Sequence, residues 1–343
     1  MMSQAYNPFR VPRDAFSDIK GIRTFLILGD HPRSIPKVSI LIPTYCRPEL
    51  LREALISALH QKEVEDYEVI VLDNDPTPNL ATEAVIRQHL CPRLTYYRNE
   101  KNIGMTGNWN RCIELARGEW ISFLHDDDYL SPMWLQRMLR HLPPNADMMA
   151  SHVRVGSQSY SLNSFDQTTD KSLEPGHVDG KRLILGNISP APGLLIRKVS
   201  ILNLRGFDDG YYPCADYDLY SRLTVRGKVW IYPEVLSYYR TSDSETYKGN
   251  TLVKMISTSV WMKQGLLSLY PSWVAILYYV DSLREWSRVA RAHGVEMDME
   301  GVLNGIAIGL GRVQFLGRGF SFLVRLISKL DLLYPSNGNP KQL

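Results

Sequence analysis

From residue 38 onward, short apolar runs alternate with stretches of helical periodicity. Val38–Ile42 (VSILI), Tyr67–Leu72 (YEVIVL), Leu94–Arg98 (LTYYR) and Trp120–Leu124 (WISFL) have the length and composition of buried strands. Between and after them, Leu50–Leu59, Leu80–Leu90, Asn108–Ala116 and Pro132–His141 carry apolar residues at helical spacing. Pro48 suits a first helical turn, and Gly118 stands just past a helix end. This order predicts βαβ units: an α/β fold with a mostly parallel sheet flanked by helices.

The flanks read differently. Residues 1–36 form an N-terminal extension of weak periodicity, broken by Pro12, Pro32 and Pro36. Residues 246–343 read as a mainly helical C-terminal region, with apolar runs at 273–280 and 302–310. Within it, residues 312–330 are amphipathic at about 100° per residue. Val313, Leu316, Phe320, Leu323, Ile327 and Leu330 share one face, and Arg318, Arg325 and Lys329 the other. Such a helix either lies in an anionic membrane surface or packs on the protein with its basic face in water.

Composition narrows the class. The 343 residues are 44% hydrophobic and 22% charged, which excludes a wholly disordered chain. The 39 basic and 36 acidic residues nearly cancel, so nothing global points to nucleic acid. The four cysteines form no CxxC pair, as expected of reduced thiols in a cytosolic protein. No apolar stretch reaches ~18 residues and the N-terminus has no apolar leader segment, so a cytoplasmic location is predicted. There is no GxxxxGK[ST] loop, no GxSxG elbow and no HExxH.

Ligands of such sheets gather at the carboxyl ends of the strands, where this sequence concentrates its unusual residues. Asp126, Asp127 and Asp128 follow the fourth apolar run. Adjacent carboxylates repel, and burial raises the cost; a divalent cation relieves both. The triplet is therefore a candidate metal–diphosphate site, the competing role being an acidic turn that caps the helix starting near Pro132. Asp73 and Asp75 end the second strand, where a carboxylate accepts from a ribose hydroxyl or base N–H, or serves the turn itself. Arg47, after the first strand, is either a solvated surface arginine or a side chain facing a diphosphate. Asp216 opens a helical segment, as an N-cap or as a general base above the sheet.

These residues fall in four ordered blocks: VSILIPTYCRP, VIVLDNDPT, NIGMTGNWNRCIELARGEWISFLHDDDYLSP and GFDDGYYPCADYDLYSRL. Together they resemble the family 2 glycosyltransferases, inverting enzymes of GT-A fold with nucleotide-sugar donors. The resemblance covers roughly residues 37–245, with a nucleotide-sugar half at 37–131 and an acceptor half at 132–245. It implies that Thr44, Tyr45, Arg47 and Asp73 hold the nucleotide. Asp126 approaches ribose or metal, Asp127 is the chief ligand of Mn²⁺ or Mg²⁺, and Asp128 occupies the following position. Asn102, Gly104 and Asn110 shape the donor pocket, and Asp216 is the catalytic base. Relatives that build bacterial surface polysaccharides such as O-antigen or capsule often use lipid-linked glycan acceptors, which implies a peripheral place on the inner face of the plasma membrane. UDP is the first expectation for the nucleotide, with dTDP and GDP as alternatives. Two departures stand out: Ala215 precedes the base where relatives carry Glu, and no His follows Tyr239-Arg240. A sugar nucleotidyltransferase and a non-catalytic nucleotide-sugar scaffold are the competing functions.

Overall fold

The computed structural model describes residues 5–30, 34–78, 80–160, 165, 173–188, 192–242, 245–247 and 249–295. They fall into two compact units. The larger, residues 8–179 and 187–245, is built on one sheet.

Its chain begins with β1 (Thr24–Leu28), β2 (Val38–Thr44), α1 (Pro48–Leu59), β3 (Tyr67–Asp73) and α2 (Leu80–Gln88). There follow β4 (Leu94–Asn99), α3 (Gly104–Leu115), β5 (Trp120–Phe123), β6 (Tyr129–Leu130) and α4 (Trp134–His141). The second half adds β7 (Met148–Gly156), β8 (Gly176–His177), β9 (Leu194–Arg197), α5 (Lys198–Asn203), α6 (Ala215–Arg226) and β10 (Val229–Arg240). The strand order is β1-β4-β3-β2-β5-β9-β7-β10-β6, with β8 on β10. The centre, β4-β3-β2-β5, is parallel, while β1 and β9 pair antiparallel.

The predicted runs become the buried centre. Every residue of β2, β3, β4 and β5 is buried, as continuous apolar strands require when both sheet faces are covered. Leu51, Ala54, Leu55 and Ala58 place one stripe of α1 in this core, with Val69, Val71, Trp120 and Trp134. Two boundaries differ from the sequence pattern. Helix α3 starts at Gly104, not Asn108, because Asn102 Oδ1 accepts from the Gly104 N–H at 2.9 Å and turns the chain early. Thr24–Leu28, within the weakly periodic extension, forms an edge strand on β4, from Thr24 opposite Asn99.

The topology fixes where a ligand belongs. The chain runs β2 to β3 to β4 on one side, then returns to place β5 on the other side of β2. Strand order thus reverses between β2 and β5, and in open α/β sheets ligands bind outside the carboxyl ends of the strands at such a point. Thr44 ends β2 there, and Asp126–Asp128 follow β5.

The smaller unit contains residues 180–186 and the helices α7 (Gly249–Leu269) and α8 (Trp273–Ala292). Ser272 caps α8 by accepting from the Ala275 N–H at 3.1 Å. Leu252, Ile256, Met262, Leu266, Ile276, Tyr279 and Leu283 are among its buried apolar residues. Gly265 permits close approach of the chain, since a Cβ there would stand 2.2 Å from the Tyr6 carbonyl oxygen. Among the described residues no helix is long and apolar enough to cross a membrane. The amphipathic segment 312–330 lies outside the described residues.

Candidate functional site

The acidic turn sits at the strand-order reversal. Asp126 Oδ2 accepts from Thr44 Oγ1 at 2.8 Å, across the carboxyl ends of β5 and β2. Arg47, beside α1, reaches Asp127 Oδ2 at 3.1 Å and Asp126 Oδ1 at 3.5 Å. Cys46 at φ 56° turns the chain between Thr44 and Arg47, so that one loop presents both. Asp128 is fully buried; its Oδ1 accepts from the Arg240 backbone N–H at 2.9 Å, at the end of β10. The guanidinium of Arg240 pairs with Glu53 of α1.

The alternative role for the triplet was helix capping. Helix α4 starts two residues later than Pro132, and its backbone is served by others: Ser131 Oγ takes the Met133 N–H at 3.3 Å and Gln61 Oε1 the Leu135 N–H at 2.8 Å. The hydrogen bonds of Asp126 and Asp128 go instead to Thr44 and Arg240.

These carboxylates are hard to ionise where they stand. Burial, then the neighbouring Asp127, pushes Asp126 up to about 7, against the pull of Arg47, Thr44 and the Tyr45 backbone. Burial and the same neighbour push Asp128 well above the usual carboxylate range. Asp128 Oδ2 is buried with no hydrogen-bond partner. A nitrogen of His125 and carboxylate oxygens of Asp127 and Asp128 all lie within 4.8 Å of one another. Clustered oxygen donors, one of them buried and unsatisfied, fit a divalent cation.

A second set of polar residues lies beside the turn. Asp73 is buried at the end of β3; Oδ1 accepts from the Asp75 N–H and Oδ2 from Tyr96 Oη, each at 2.9 Å. Burial raises its pKa. Asp75 accepts from the Thr77 N–H at 3.0 Å and so serves the turn itself. Tyr45 is half exposed at the mouth of the loop. Asn74 binds Asn102 Oδ1 and the Gly104 carbonyl at 3.0 and 3.2 Å, tying β3 to the start of α3.

Asn110 is bonded to the loop before α6 rather than to this group. It exchanges two hydrogen bonds with the Phe207 backbone, Nδ2 to O at 2.9 Å and N to Oδ1 at 2.8 Å. Gly206, at φ +77°, makes room, because a Cβ there would meet Asn110 Oδ1 at 2.5 Å. Phe207 packs edge-on against Trp109 and Phe123, and Trp109 stacks on His125. Asn110→Leu removes both hydrogen bonds and leaves two backbone groups buried and unpaired. It is expected to lower stability by about 2–4 kcal/mol, read by urea unfolding.

The Phe207 loop leads to α6, where Asp216 is the second residue. Its carboxylate accepts from Asn187 Nδ2 at 2.7 Å and from the backbone at the helix start. Burial still pushes it up to about 6. It thus does part of a cap's work, although the N-cap position itself is Cys214. Asp218, one half-turn on, is fully buried against Arg222 and reached by Arg10.

Asn187 and Arg10 lie outside the four sequence blocks, and Trp109 and Arg222 lie inside them without a role assigned from the sequence. Asn187 and Arg10 find their partners 29 and 208 residues away, while the Asp218/Arg222 spacing of four could have signalled a helix pair. Arg240 holds Asp128 through its main chain, which no side-chain pattern reveals.

The comparisons with known proteins agree with this architecture. Residues 39–196 match the model of glycosyl transferase family 2. An uncharacterized protein of Mycobacterium tuberculosis is 30% identical over 226 residues, covering 62% of this chain and 69% of that one. The GalNAc(5)-diNAcBac-PP-undecaprenol beta-1,3-glucosyltransferase of Campylobacter jejuni is 33% identical over 179 residues, covering 52% and 57%. Among solved structures, S. aureus TarS 1–349 in complex with UDP-GlcNAc superposes with a TM-score of 0.51 at 15% identity, covering 84% of this chain and 89% of that one; the likeness is one of fold. With its GT-A-like sheet and the matched segment spanning β2 to β9, the chain belongs to glycosyl transferase family 2.

Proposed function

We propose that the chain transfers a sugar, with inversion, from a nucleoside-diphosphate sugar to a hydroxyl of a lipid-linked glycan during surface-polysaccharide synthesis. UDP is the preferred nucleotide. The observation that carries this is the buried acidic turn at the strand-order reversal, with Asp128 Oδ2 unsatisfied and Arg47 beside it. The Campylobacter relative, named for an undecaprenol-linked substrate, supports the acceptor class.

The placement supports the roles that the family resemblance implies. Asp73, at the end of β3, accepts from the base or ribose, and Asp75 and Tyr45 border it. Thr44 holds Asp126 toward the ribose side. Arg47 offers its guanidinium to the diphosphate. Asn102 and Gly104 set the start of α3, and Asn110 shapes the pocket from behind through Phe207. A divalent ion, Mn²⁺ or Mg²⁺, held by Asp127 with Asp126 and Asp128, would supply Lewis-acid stabilisation of the departing diphosphate. Asp216 takes the proton of the acceptor hydroxyl as that oxygen attacks the anomeric carbon. A lipid-linked acceptor places the enzyme at the inner face of the membrane, which suits the basic amphipathic pattern of residues 312–330.

The test is a donor panel. Purified protein is mixed with UDP-, dTDP- and GDP-sugars in Mn²⁺, Mg²⁺ or EDTA, and nucleoside diphosphate release is followed. Release from one donor that needs metal is expected, falling about a hundredfold or more in Asp127→Ala, given several kcal/mol of charge stabilisation. Folded protein that binds a donor but never turns it over, with any acceptor extract, would point to a scaffold instead. Release that survives EDTA and Asp127→Ala unchanged would refute the metal role.

A further inference from the structure

His125 has no role in the reading above, yet it is built into the acidic turn. Its Nδ1 stands 3.6 Å from Asp128 Oδ2. That is too long for a hydrogen bond. It is a natural separation for two atoms that share one ion, each about 2.0–2.2 Å from it. The other ring nitrogen, Nε2, is buried with no hydrogen-bond partner. Hydrogen bonding therefore does not explain why an imidazole occupies this place. The ring plane is set by Trp109, which stacks on it at 5.4 Å between centroids and 17° between planes. The Asp128 carboxylate is oriented independently, by the Arg240 N–H on Oδ1, which leaves Oδ2 toward the imidazole. Asp127 completes a set of three donors within 4.8 Å.

We infer that His125 is a nitrogen ligand of the cation, together with Asp127 and Asp128. This rests on the cation reading of the acidic turn and adds a ligand to it. The consequence is selectivity. Carboxylates alone suit Mg²⁺, whereas an imidazole shifts preference toward Mn²⁺ and the later first-row ions. The His absent after Arg240 is then compensated within the turn itself, one residue before the triplet.

The experiment uses the full chain and Mn²⁺ alone, read by pulsed electron paramagnetic resonance. The wild type is expected to show an imidazole nitrogen coupling that changes when histidine carries ¹⁵N. In His125→Gln and His125→Ala the coupling is lost, Mn²⁺ still binds, and its advantage over Mg²⁺ falls about tenfold, the scale of a disturbed ligand shell. Among the described residues His125 is the histidine in the cluster that could hold a metal, so the labelled wild-type spectrum decides even if both variants fail to fold. Bound Mn²⁺ without nitrogen coupling would overturn the inference and leave the carboxylate site standing. Unchanged Mn²⁺ affinity in Asp127→Ala would overturn the cation reading itself.

Discussion

Asp216→Asn is expected to lower the rate of sugar transfer by about 10²–10⁴-fold, the range of a positioned general base. Donor affinity should stay within about twofold, because the residues assigned to the nucleotide lie on β2, β3 and the acidic turn rather than on α6. The substitution keeps the shape of the side chain and its place at the helix start, so loss of activity without loss of folding is the expected pair. The pH dependence follows from the same group. A base acts only when deprotonated, and burial sets the Asp216 pKa at about 6. kcat/KM should therefore be level above that value and fall about tenfold per unit below it. Asn187 donates to the carboxylate and favours its charged form. Asn187→Ala should move the acid limb to higher pH, a shift that a merely structural asparagine would not produce. Full activity in Asp216→Asn, or an acid limb unmoved by Asn187→Ala, would contradict the assignment.

Arg222→Ala should cost about 3–5 kcal/mol of stability, the cost of breaking a buried ion pair. Arg222 and Asp218 are both fully buried, with Nη2 to Oδ2 at 2.8 Å. The same guanidinium also holds the Leu204 and Gly206 carbonyls. Its loss would take from the buried Asp218 charge its fully buried counter-ion and leave two carbonyls without their donor. It would also release the loop that carries Phe207. A domain holds about 5–15 kcal/mol in total, so the variant should sit near the edge of folding. The double variant Arg222→Leu with Asp218→Leu removes both charges and should recover part of the loss. Urea unfolding measures both; a cost for Arg222→Ala under about 1 kcal/mol would contradict the account.

Much of the sheet from β2 to β5 was legible because its signals are local. Continuous apolar runs mark strands buried on two faces, and the aspartates follow them directly. The alternation of elements implied the α/β sheet, and with it the carboxyl-edge location of the site. What was not legible depends on distant partners. β1 is short and lies between prolines, and only pairing with β4 makes TFLIL a strand. The first turn of α3 contains two glycines, and Asn102 and Asn74 rather than propensity begin it. The second half is held by contacts such as Asn110 with Phe207 and Arg222 with the Leu204–Gly206 loop, which span the sequence without a period. His125 was visible as a neighbour of the triplet, but its stacking on Trp109 required the fold.

The central claim is a single displacement with Asp216 as base, and stereochemistry tests it most directly. An α-linked UDP-sugar that the donor panel identifies would be incubated with the enzyme and metal. Real-time proton NMR would then read the anomer first formed, in the transfer product or, with water as acceptor, before mutarotation. The account predicts the β anomer first, absent with Asp216→Asn. An α anomer formed first by the wild type would contradict it.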